Sequence, residues 1–209
     1  MKSDLYYLHP DFFNGCHISP TLKLIKEFKT CQQTTEYTCG VASLQMVLNH
    51  WNLVDKSELE LAEEMDVRPK DNPRKDGSYG CSTVAIADAL KKRGVKILPY
   101  QNFKTPEEFA IFVKKQIIEE SPILVEWITW GGHWTVIIGF DDMGSDNVSD
   151  YVLIMADPYD TTNHCQNGYT IVPFERFFYE WFDAEILATK ITRQQYVAPI
   201  NPNRSTMPC

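Results

Sequence analysis

The stretch from Cys39 to Trp51, CGVASLQMVLNHW, constrains the fold of this chain more than any other. At helical spacing Val41, Leu44, Val47, Leu48 and Trp51 share one apolar face, widened by Ala42 and Met46, which predicts a buried helix. Cys39 takes its first position. The run before it, CQQTTEYT, is polar and Thr-rich and suits a loop feeding a helix start. A cysteine there meets unpaired N–H groups and the positive end of the helix dipole, both of which favour its thiolate. Gly40 leaves no side chain beside it to crowd an incoming carbonyl. The competing reading is a structural cysteine, because cysteine is among the most buried residue types.

A thiolate nucleophile needs a base within hydrogen-bond reach, and the base needs an orienting partner. Two apolar runs, HWTVIIGF from His133 and YVLIMA from Tyr151, read as strands joined by the turn-forming segment DDMGSDNVSD. The start of one and the end of the other then meet at one edge of a sheet. If Phe140 lies opposite Ser149 or Asp150, His133 falls opposite residue 156 or 157, which makes His133 and Asp157 cross-strand neighbours. Asp141 and Asp142 lie roughly 25 Å along the strand from His133, too far to orient it. Asp160 is the reserve. His50 sits in the same helix as Cys39 but roughly 16 Å away. His9, His17 and His164 fall in irregular segments.

The rest of the chain divides in two. Thr21 to Lys29 reads as a short helix, Ser57 to Met65 as a second helix with a solvated charged face, and Cys81 to Gly94 as a third closed by its glycine. Thr105-Pro106-Glu107-Glu108 opens a further helix that Ser121-Pro122 ends. Strands are predicted at Val95–Tyr100, Ile123–Ile128, Tyr169–Val172 and Ala184–Ile191, with an aromatic helix over Pro173–Phe182. The segment from Val67 to Gly80 reads as a long loop. Helices dominate the first half and strands the second, so the expected class is α+β, a helical lobe facing an antiparallel sheet. The expected organisation is a single domain over residues 1–196, its first twenty residues an irregular arm, followed by a loose tail at 197–209. Trp127 and Trp134 read as strand packing, whereas Trp130, abutting Gly131-Gly132, is a candidate for the cleft.

Charge and cysteine spacing exclude several classes. A net charge of −8 and a pI near 5.1 give nucleic-acid binding no electrostatic footprint. No window approaches the length of an apolar membrane span, and the amino terminus does not read as a signal peptide, so a cytoplasmic setting is expected. The six cysteines are scattered without a C-x-x-C pair, which suits neither a disulfide framework nor a zinc site. No metal or cofactor is called for.

These residues also resemble a known family. Gln33, followed by Tyr37-Thr38-Cys39-Gly40-Val41-Ala42-Ser43-Leu44, resembles the nucleophile segment of papain-like cysteine peptidases, in particular the bacterial family that cleaves double-glycine leader peptides from bacteriocin precursors. The run from Gly132 to Gly139 is similar to that family's G-H-(aromatic)-x-V-x-x-G, and Ala156-Asp157-Pro158 to its A-D-P. Gly80, Ser82, Ala89-Leu90-Lys91-Lys92 and Gly94 are similar to a further helix of it. The resemblance implies a papain-like fold and a stand-alone cysteine peptidase acting on a peptide or protein through a thioester. Cys39 would be the nucleophile, His133 the base and Asp157 its orienting partner. Gln33 and the Cys39 N–H would form the oxyanion hole. The phytochelatin synthases carry a similar Y-C-G-x-A-S-L run, so an acyl transferase with the same triad is the alternative. A catalytically silent peptide-binding module ranks last, because all four positions are filled.

Overall fold

The computed structural model describes residues 20–160, 167–183 and 192–204. The expected amino-terminal arm and the strand at Ala184–Ile191 lie outside these residues.

Helix α1, Cys39–His50, is buried on nearly every side, from Cys39 through Leu44 and again at Met46, Val47 and Leu48. Its apolar stripe is thus the centre of a core rather than one wall of it. Helix α2, Glu58–Glu64, opens with a complete capping box: the Ser57 hydroxyl accepts from the Glu60 N–H, and the Glu60 carboxylate accepts from the Ser57 N–H. Helix α3, Thr83–Lys92, is capped by Ser82, and α4, Pro106–Ile118, by Thr105 with proline at its first position. Arg93 joins the end of α3 to α2 and to the loop after α1, its guanidinium bonding Glu64 and Asp55.

The second half builds an antiparallel sheet of order β5-β4-β3-β2-β8. Its strands are β2 (Ile123–Trp127), β3 (His133–Asp141), β4 (Val152–Ala156), β5 (Tyr169–Pro173) and β8 (Gln195–Val197). A short separate ladder pairs β6 (Phe182–Asp183) with β7 (Thr192–Arg193), and α5 spans Phe174–Glu180. The fold is therefore α+β, with helices first and an antiparallel sheet after them. Among the described residues no helix is long and apolar enough to cross a membrane.

The sheet's second layer is knitted by aromatic rings. Phe109 of α4 is fully buried, with ring centroids of Trp181, Phe103, Phe174 and Phe177 at 4.6, 5.2, 5.3 and 5.9 Å. This cluster fixes α4 against α5 and the sheet.

Four local expectations are corrected. The segment predicted as a helix over Thr21–Lys29 instead supplies strand β1, Leu22–Leu24. β3 is longer than β2, which covers only its first half; β1 fills the remaining edge, pairing Leu22 with Asp141 and Leu24 with Gly139. Gly139 permits that approach, because a Cβ there would lie 2.7 Å from the Lys23 carbonyl. The strand expected at Val95–Tyr100 reduces to a single bridge between Ile97 and Pro199, flanked by Leu98 N–H to Ala198 O and Ile200 N–H to Lys96 O. A proline on the partner side has no N–H to extend the ladder. The loose tail expected from residue 197 is packed as far as it is described: Val197 belongs to β8, Ala198 is buried, and the Asn201 N–H donates to Ser121 Oγ. Finally, the face of α2 expected to be solvated buries Glu58.

Candidate active site

Three segments converge where α1 meets the end of the sheet. Cys39 stands at the first position of α1, whose N-cap residue Thr38 makes no side-chain cap. The Thr38 hydroxyl is engaged with Thr35 instead, so the first amides of the helix stay available to the sulfur. The Ser43 hydroxyl donates to the Trp134 carbonyl across 3.0 Å, and the Trp134 indole N–H donates to the Cys81 carbonyl across 3.0 Å. These buried bonds tie the helix that carries Cys39, the start of α3 and the start of β3 to one another. Gly40 sits where no side chain fits, since a Cβ there would approach Cys81 Cβ to 2.5 Å and Trp134 Cδ1 to 3.1 Å.

His133 is the first residue of β3, and Asp157 follows the last residue of β4. The structure brings them together: His133 Nε2 lies 2.7 Å from Asp157 Oδ1, with both side chains buried. The route differs from the expected register. Phe140 pairs with Leu153 and Val136 with Ala156, and the ladder shifts by one between Ile137 and Gly139. A 3-10 turn at Val148–Asp150 takes up residues that the simple hairpin would have placed in the strand. The carboxylate therefore reaches back diagonally along one face instead of lying directly opposite. Asp157 Oδ1 also accepts from the Tyr159 N–H at 2.8 Å. Asp160, the reserve, accepts from the Gly168 N–H.

Nε2 is committed to Asp157, which leaves the other ring nitrogen for a further partner, and the charges of His133 and Cys39 act on one another. Burial alone would push the Cys39 thiol up. The hydrogen bond and positive charge of His133, with backbone bonds at Trp134 and Gly40, outweigh burial and bring it below its ordinary value. Burial would likewise lower His133, but Asp157 and the thiolate hold its proton and raise it. The favoured state is a thiolate–imidazolium pair.

Gln33 belongs to the loop ahead of α1. Its backbone N–H donates to the Pro158 carbonyl at 2.8 Å, which straps that loop to the segment carrying Asp157. Its Nε2 donates to Thr35 O at 2.7 Å, leaving the second amide hydrogen uncommitted among the described residues. Its buried Oε1 has no partner among them.

Sequence reasoning missed two carboxylates. Glu58 accepts from the Thr34 N–H at 2.9 Å and from the Thr34 hydroxyl at 2.6 Å, and so holds the Gln33 loop. Glu126, on β2 opposite Trp134, is buried, accepts from the Gln195 side chain and is pushed well above the usual carboxylate range by burial and the charges of Asp183 and Cys39. The one signal for it was a lone charge in the apolar run ILVEW. Cys81 packs against Gly40, and burial with the neighbouring Cys39 charge pushes its thiol well up, which suits a structural role. Trp127 and Trp134 are buried as expected, and Trp130 is exposed. Among the described residues no group of acidic, histidine and cysteine side chains could hold a metal ion.

A model of the Peptidase C39 like family matches residues 25–184. Among solved structures the chain is similar to the peptidase domain of Streptococcus ComA, a bi-functional ABC transporter involved in a quorum sensing pathway. The two share 21% identity at a TM-score of 0.53, over 83% of this chain and 98% of that one. It is also similar to a double glycine motif protease from an AMS/PCAT transporter, in complex with its leader peptide, at 16% identity and a TM-score of 0.48, over 81% and 87% of the two chains. The likeness to the ComA domain shows a shared fold. No curated protein matches the chain.

Proposed function

The chain belongs to the Peptidase C39 like family, and from that premise we propose that it cleaves peptide bonds through Cys39, His133, Asp157 and Gln33. The observation that carries this reading is the 2.7 Å bond between the buried His133 imidazole and the buried Asp157 carboxylate, with the helix-terminal Cys39 thiol within reach of the His133 charge that pulls it down. The Cys39 thiolate attacks the scissile carbonyl. The Cys39 N–H and the second hydrogen of Gln33 Nε2 receive the developing oxyanion, a contribution often worth about 3 kcal/mol per donor. His133, already protonated, passes its proton to the leaving amine, and a thioester remains on Cys39. Water, deprotonated by His133, then hydrolyses it. Asp157 fixes the imidazole with its working nitrogen toward the sulfur. The resemblance of the three motifs suggests a peptide cut after glycine. A reduced setting such as the cytoplasm suits a site whose thiol lies beside the second thiol of Cys81.

The test is alkylation by iodoacetamide across pH, followed by intact mass, beside cleavage of a proteome-derived peptide library. A depressed thiol and a raised imidazole place the reactive ion pair between them. Reaction at Cys39 is therefore expected to begin below the ordinary thiol value of 9.0, ahead of the other cysteines. Cleavage should fall on the acid side as the thiolate is protonated, and on the alkaline side as His133 loses the proton it must donate. Cys39→Ala should lose both the adduct and all cleavage. Equal, slow labelling of all cysteines in the wild-type protein would overturn the reading.

A further inference from the structure

Ahead of His133 the backbone passes through three successive left-handed residues: Trp130 at φ 60°, Gly131 at φ 87° and Gly132 at φ 147°. Glycine adopts these angles freely, and Gly132 has a second reason, because a Cβ there would lie 2.7 Å from Asp183 Oδ1. Tryptophan does not adopt them freely, and a bulky residue at positive φ marks stored strain of the kind that gathers at functional sites. What the strain delivers is the placement of one ring. Trp130 is 66% exposed, whereas Trp127 and Trp134 nearby are 7% and 1% exposed.

The other half of the relay presents a matching ring. Tyr159, two residues beyond Asp157, is 42% exposed, and its N–H bonds the same carboxylate oxygen that holds His133 Nε2. The two rings meet edge to face, with centroids 5.5 Å apart and planes at 82°. So the segment leading into the base and the segment leaving its carboxylate each put one aromatic side chain into solvent, and these touch at the end of the sheet.

We propose that Trp130 and Tyr159 form the subsite for the side chain that immediately follows the scissile bond, and that they favour a large apolar or aromatic residue there. The inference rests on the peptidase reading above. During cleavage the acyl half of the substrate becomes attached to the Cys39 sulfur, while the amine half takes its proton from His133. The amine half therefore lies on the imidazole side of the sulfur, and the segments that flank His133 and Asp157 are those that carry the Trp130–Tyr159 corner. An apolar side chain lying against that corner gains ring contact and loses water, whereas glycine or a charged side chain gains neither.

The experiment is cleavage of a proteome-derived peptide library by the wild type, Trp130→Gly and Tyr159→Ala, with mass spectrometry reading the residues on both sides of each cut. Trp130→Gly suits the local backbone, so it removes the ring without adding strain. Iodoacetamide labelling of Cys39 in each variant reports that the relay itself is intact. Wild type is expected to prefer Phe, Tyr, Trp, Leu or Met after the cut. Either variant should reduce that preference roughly three- to tenfold while the preference before the cut is unchanged. A wild type without this preference, or variants that keep it, would overturn the subsite. So would a uniform slowing over all peptides, which is the signature of a ring that merely covers the His133–Asp157 bond. A wild type whose Cys39 resists iodoacetamide would instead overturn the peptidase reading beneath it.

Discussion

His133→Ala is expected to lower kcat/KM on any cleaved peptide by roughly 10⁶-fold and to move the reactivity of Cys39 to higher pH. Cys39 is buried, and without His133 only the backbone bonds at Trp134 and Gly40 oppose the cost of a buried thiolate. Its alkylation should therefore move to the alkaline range of a desolvated thiol. The change also leaves the Asp157 carboxylate buried beside a cavity, with the Tyr159 N–H still bonded to it. Thermal unfolding followed by circular dichroism separates a lost base from a lost fold. A variant that remains folded yet still labels rapidly at pH 6 would show that His133 does not set the thiol's state.

The second large effect is on stability. Phe109→Ala should destabilise the protein by about 3–5 kcal/mol, the usual range for deleting a fully buried aromatic ring. Four aromatic neighbours from two segments close on that ring, and an interior this dense cannot collapse into the vacated space without moving α4. For a chain of this length the melting temperature should fall by roughly 10 °C, measurable by calorimetry. A shift within about 1 °C would mean that the cluster repacks. Because Phe109 makes no bond to His133 or Asp157, the Cys39 labelling profile should survive at temperatures where the variant is folded.

What the sequence disclosed was what local chemistry determines. The α1 stripe, the helix begun near Ser57 and the Thr105-Pro106 helix start depend on residues within a few positions of one another, and each formed where expected. The meeting of His133 and Asp157 at one sheet edge was legible because a hairpin has few ways to close. Its register was not, since a bulge beyond Ile137 and a 3-10 turn at Val148–Asp150 each shift the count without an obvious mark in the sequence. Distant pairing was hidden as well. Nothing within Thr21–Lys29 says that half of β3 lacks a partner, so tertiary pairing overrode a modest helical tendency. Glu58 reads as one more charge on a solvated helix until Thr34 is placed against it. Gln33 shows the limit from the other direction: likeness to a motif singled it out, but the bond of its amide to Thr35 depends on the folded loop.

Kinship and integrity do not end at the same residue. The family match stops at 184, yet β8 at Gln195–Val197 covers the outer edge of β2, with Leu124 opposite Val197 and Glu126 opposite Gln195. The same short strand supplies the side chain that Glu126 needs, and its Gln195 carbonyl receives the Trp181 indole N–H at 3.1 Å. A fragment trimmed to the matched region would bare a flat apolar strand whose amides and carbonyls are a template for a second copy, and self-association is how open edges of this kind fail. The minimum unit to express is therefore set by β8, which hydrogen-bonds β2 and reaches to Val197, past the end of the family match at 184.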